Sequence, residues 1–156
     1  MAKLKHLAIA TQDPQKTANF YKEAFDLNEV GKINSDLVEG FFLSDGHVNF
    51  AILKFKNEAV AGKEFGTSYT GIHHMGFEVD DMGDTAKRLE KLNSSPRDDI
   101  NSVLNPAMKD INAAIGASMK DMVGGHGGRN VEVKFSGPDG VMIDISQTGW
   151  VGTDTE

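Results

Sequence analysis

Leu4-Lys5-His6-Leu7-Ala8-Ile9-Ala10-Thr11-Gln12-Asp13 returns 68 residues later as Ile72-His73-His74-Met75-Gly76-Phe77-Glu78-Val79-Asp80-Asp81. The match runs without a gap into Thr17-Ala18 and Thr85-Ala86. Each copy reads as an apolar strand with a histidine near its start, then an aspartate suited to cap a helix. Two copies related by a fold-level symmetry bring His6 and His74 to one shared site.

Working outward, Leu4, His6, Ala8 and Ala10 alternate with Lys5, Leu7 and Ile9, the period of a strand. Asp13-Pro14 opens a helix with Ala18, Tyr21 and Phe25 on its apolar face. Strands are expected over 27–33, 37–43 and 47–55, the last two joined at Asp45-Gly46, a hairpin signal because both positions accept positive φ. Module one (1–56) is therefore βαβββ. Residues 57–70 form the linker. Module two (71–150) restarts with a strand over 72–79 and a helix striped by Met82, Ala86, Leu89 and Leu92. It closes with strands over 131–135 and 141–146, joined by Gly137-Pro138-Asp139-Gly140. One strand expected between residues 93 and 130 leaves only a poor signal. An extra helix near 106–122 stands there instead, with Met108, Ile111, Ile115 and Met119 at helical spacing. It is expected to cover an open sheet edge or a subunit interface, with a lid over a pocket as the alternative reading.

The chain has 156 residues, enough for one well-buried domain. Hydrophobic content of 39% and charged content of 25% are ordinary for a globular protein. A net charge of −7 argues against a nucleic-acid surface. No apolar run approaches membrane-spanning length, and no apolar signal core follows the N-terminus, so the expected location is cytoplasmic. Cysteine is absent, which excludes thiolate metal sites and leaves His, Asp, Glu, Asn and Gln as donors.

These segments resemble the vicinal oxygen chelate superfamily of glyoxalases, bleomycin-resistance proteins and extradiol dioxygenases. The residues that carry the resemblance are Lys5-His6-Leu7-Ala8-Ile9, Asp13 with Phe20-Tyr21, Gly71–Asp81, and Gly137-Pro138-Asp139-Gly140-Val141-Met142-Ile143-Asp144-Ile145. The resemblance implies an α+β fold: two βαβββ modules forming a curved, cleft-like mixed sheet with helices outside and a metal on the concave side. It assigns metal ligands by position to His6, Asn49, His74 and Asp144, with Asp144 where the family usually has glutamate. Asn49 stands where module one usually has glutamate or glutamine. The resemblance also implies a homodimer.

Two imidazoles and one carboxylate suit Fe(II) or Mn(II), and also admit Zn, Ni or Co. A single strand histidine is ordinary. Two at repeat-equivalent positions, with Asp144 as third donor, point to a metal site. His73 has the opposite strand parity and Lys5 as its counterpart, so it is read as structural. His47 is expected at an exposed turn, and His126 lies between glycine pairs. Asn49 is a weak neutral donor that cannot act as a base, which leaves Asp144 as the one catalytic carboxylate. The expected function is a divalent-metal-dependent enzyme acting on a small, vicinally oxygenated substrate, leaning to a dioxygenase-type oxidoreductase. A glyoxalase- or epimerase-like lyase or isomerase is the alternative. A metal-free small-molecule binding or antibiotic-resistance protein is a further one.

Overall fold

The computed structural model describes residues 1–104 and 132–153. The helix expected near 106–122 and His126 lie outside the described residues. Seven strands form one mixed sheet: β1 (Lys3–Ala10), β2 (Asn28–Asn34), β3 (Val38–Ser44), β4 (Asn49–Phe55), β5 (Gly71–Glu78), β6 (Val133–Ser136) and β7 (Met142–Ser146). Helices α1 (Pro14–Phe25) and α3 (Met82–Lys91) follow the two repeated strands. Short helices α2 (Glu58–Ala61) and α4 (Asp98–Leu104) lie in the connections. The spatial order is β2-β3-β4-β1-β5-β7-β6. β1 and β5, the two copies of the repeat, are antiparallel neighbours at the seam. β4 runs parallel to β1 and β7 parallel to β5, so the modules mirror one another about that seam.

Each repeated aspartate caps its helix in the same way. Asp13 Oδ1 accepts from Lys16 N at 3.0 Å, and Asp81 Oδ1 accepts from Asp84 N at 2.7 Å. α1 covers Leu43 and Ile52 through Ala18; α3 covers Val133, Phe135 and Ile145 through Met82. Phe25 and Leu92, expected on the buried stripes, are exposed at the helix ends. The opposite face of the module-one strands carries Ala8, Ala10, Phe42, Ala51, Leu53 and Phe55.

The missing strand of module two survives as a single bridge, Pro96↔Phe135. Ser136 N donates to Ser95 O and Arg97 N to Lys134 O, both at 2.8 Å. Proline offers no N–H to extend the ladder, and α4 begins two residues later. The Asp45-Gly46 connection also departs from expectation. Only Gly46 takes a positive φ (98°), while Asp45 Oδ1 accepts from His47 N and Val48 N, making a four-residue loop. No helix among the described residues is long and apolar enough to cross a membrane.

Candidate metal centre

β1 and β5 do not alternate regularly. Register shifts fall between Leu4 and His6 and between Ala8 and Ile9, so Lys5 and His73 are each the extra residue of a β-bulge. They are also equivalent positions of the repeat. A bulge turns two successive side chains toward the same face. Lys5 is therefore buried while Leu4, expected beside His6, is 49% exposed. His73 and His74 are likewise both buried, so parity does not separate them as it would in a regular strand.

His6, His74 and Asp144 are all buried, and each places one ligand atom within 4.8 Å of the others. His6 Nε2 lies 3.1 Å from His74 Nε2, and His74 Nε2 lies 3.4 Å from Asp144 Oδ2. Ligands about 2.1 Å from one ion stand roughly 3.0–3.4 Å apart at its coordination edges, so the spacing fits a divalent metal.

The hydrogen bonds behind the rings fix the tautomers. Asn49 Nδ2 donates to Val151 O at 2.8 Å, which turns the amide oxygen toward His6. Asn49 Oδ1 then accepts from His6 Nδ1–H at 2.8 Å, leaving Nε2 as the unprotonated nitrogen. On the other side His73 Nε2–H donates to Ala61 O at 2.7 Å. His73 Nδ1 is therefore an acceptor, and His74 Nδ1–H donates to it at 2.8 Å. Burial depresses His73 to about 4, which keeps it neutral as this relay requires. Both Nε2 atoms thus face one another as acceptors at 3.1 Å, a contact that calls for a metal ion or a proton between them. The residues fit the ion on this ground, independently of any resemblance.

The strand registers revise the position of Asn49. Asp144 pairs with Gly76, whose repeat equivalent is Ala8; Ala8 pairs with Ala51. Ala51, not Asn49, is the module-one counterpart of Asp144, and it has no donor atom. Asn49 pairs with His6 and bonds the far nitrogen of its ring. His47 is exposed, as expected for the turn.

Three neighbours escape the sequence reading. Trp150 stacks on His6, with planes 2° apart and centroids at 5.1 Å. It fits because Gly76 has no side chain: a Cβ there would lie 2.7 Å from the indole and 2.9 Å from His6 Cβ. Trp150 Nε1 donates to Glu132 Oε2 at 2.8 Å. Lys134, buried on β6, donates from Nζ to both Asp144 oxygens at 2.8 Å. Burial works against its ammonium, but the Asp144 and Glu132 carboxylates outweigh that cost and raise it above the ordinary lysine value. A lysine between Val133 and Phe135 sits on the face opposite the core, the usual place of a solvated residue, so its pattern carries no signal.

A cavity of about 80 Å³ opens beside the cluster. His6, His74, Glu132 and Lys134 form its polar end; Phe42, Phe55 and Leu53 are among its apolar walls.

The chain is similar in fold to a hypothetical protein from Bacillus halodurans C-125, with a TM-score of 0.63 and 18% identity over 99% of this chain and 96% of that one. A methylmalonyl-CoA epimerase variant of Streptomyces coelicolor in complex with 2-nitronate-propionyl-CoA gives a TM-score of 0.63 and 17% identity over 99% and 98%. Methylmalonyl-CoA epimerase from Mycobacterium tuberculosis gives 0.61 and 16% over 92% and 85%. No curated protein sequence matches the chain. The family model described as Glyoxalase/Bleomycin resistance protein/Dioxygenase superfamily matches residues 3–145, and with the mirrored modules around a His-His-Asp cluster this places the chain in that superfamily.

Proposed function

We propose that the protein is a divalent-metal-dependent enzyme that acts on a small substrate presenting two adjacent oxygens. The observation that carries this is the pair of Nε2 acceptors facing each other at 3.1 Å beside the Asp144 carboxylate. When bound, the metal supplies Lewis acidity or oxygen activation. His6, His74 and Asp144 would hold it, with Asn49 and His73 orienting the two rings from behind. Fe or Mn suits the donor set best, and Zn, Ni or Co fit it as well.

The apolar walls of the cavity, Phe42, Phe55 and Leu53 among them, would seat the body of the substrate. Proton transfer by a metal-bound carboxylate needs a carboxylate free to accept. Both oxygens of Asp144 accept from Lys134, and the second such position is Ala51. That favours a dioxygenase-type reaction over a glyoxalase- or epimerase-like one. Methylmalonyl-CoA epimerases share the fold, so the isomerase reading is the one to test against it. Metal-loaded protein should consume oxygen with catechol-like substrates and leave the α-proton of acyl-CoA esters unexchanged in D2O. Deuterium exchange without oxygen uptake would reverse that choice. We also propose, from the family resemblance, a homodimer. Light scattering at twice the mass of the chain is the expected result.

A further inference from the structure

We propose that Lys134 is a tethered internal cation that shares Asp144 with the metal: its ammonium neutralises the carboxylate when no metal is bound and leaves it one oxygen when metal is. The inference rests on the metal reading above. Lys134 and Asp144 are direct antiparallel partners on β6 and β7, and Nζ lies 2.8 Å from each carboxylate oxygen. The side chains are 4% and 0% exposed. The lysine is held on both sides. Asn101 Oδ1 accepts from Lys134 N at 2.9 Å, Asn101 Nδ2 donates to Lys134 O at 3.0 Å, and Arg97 N reaches the same carbonyl.

A carboxylate buried between neutral imidazoles requires a counter-charge. In a three-donor site that charge ordinarily comes from the metal. Here the chain carries its own in Lys134, which answers Asp144 even though the Glu132 carboxylate also faces the pair and works against it. The ammonium also sits where it repels an incoming dication. It occupies both oxygens, so Asp144 can offer the ion only Oδ2, the atom 3.4 Å from His74 Nε2, while Oδ1 stays with Lys134. Glu132 Oε1, 3.9 Å from Nζ, is a second seat toward which the ammonium can lean when Asp144 turns to the metal. Lys134 therefore lowers metal affinity in exchange for a stable apo state.

Lys134→Met keeps the length of the side chain and removes its charge. Mn2+ and Zn2+ affinities of wild type and Lys134→Met should be measured by competition with a chromogenic chelator, alongside Tm in chelator and in metal. With the repelling ammonium gone, the variant should bind at least about tenfold more tightly, and its Tm should rise more on metal addition than that of wild type. A Lys134→Met protein that collapses in chelator and refolds on adding Mn2+ meets the same expectation. Equal or weaker binding by a folded Lys134→Met overturns the proposal while leaving the metal reading intact; no binding by either protein overturns both. Should the variant fold under neither condition, Asp144→Asn decides. It leaves the ammonium with Glu132 as its one charged partner among the described residues, so Tm in chelator should fall below that of wild type, and an unchanged Tm overturns the proposal.

Discussion

His6 and His74 are related by sequence, but what makes them a pair of donors is the residue behind each. Asn49 and His73 touch only the far nitrogens, yet they turn both Nε2 atoms inward toward one another. Removing such orienting partners usually costs roughly 10–100-fold in metal affinity. Asn49→Ala and His73→Phe should each fall in that range by metal titration, and Asp144→Ala should lose more than Asn49→Ala. Equal losses for those last two would contradict a three-donor site. The histidine pair and Asp144 were legible because the repeat aligns them without a gap. Asn49 was placed two residues away from the true counterpart of Asp144, because the four-residue loop at Asp45 has a different length from the Pro138–Gly140 turn. His73 looked structural because alternation assumes a regular strand, and a bulge breaks it. Ala51→Glu would add a carboxylate at the counterpart of Asp144. Without metal it should destabilise the fold by about 1–3 kcal/mol through overpacking and buried charge, and added Mn2+ should recover part of the loss in thermal melts.

Among the elements, β5 bears the tightest constraint. Gly76 lies opposite both His6 and Asp144 and underneath Trp150. Gly76→Ala should cost about 1–3 kcal/mol in urea denaturation and shift the emission of Trp150, the single tryptophan of the chain. α4 replaces the strand that Pro96 interrupts, and Asn101 closes the exposed side of β6 in its place. Asn101→Leu leaves the buried Lys134 N–H without its acceptor and should cost about 1–3 kcal/mol. Arg97 ties α4 to the segment after α2 by hydrogen bonds to Asp99 and Glu64, which hold both carboxyls below their ordinary values. Folded values below the unfolded ones mean that this stabilisation is present above about pH 4.5 and is lost as acid protonates the pair. Below about pH 4.5, Tm should therefore fall more steeply with acid for wild type than for Arg97→Gln.

At the scale of the molecule, the two modules pack their own helices outside, and the seam between β1 and β5 leaves the cluster on the inner face. The repeat, the helix caps and the strand periods carried that architecture in the sequence. The lost strand and the C-terminal turn that delivers Trp150 did not, since both depend on contacts between distant segments. Because Trp150 stacks on His6, its emission should report metal occupancy directly. The most direct measurement is the metal content of protein purified without added metal or chelator, beside His74→Ala, with Trp150 fluorescence followed during reconstitution of both. The account predicts one equivalent of divalent metal in wild type, with a saturable change in Trp150 emission, and neither in His74→Ala. Equal metal content in the two proteins, or none in either after reconstitution, would contradict it.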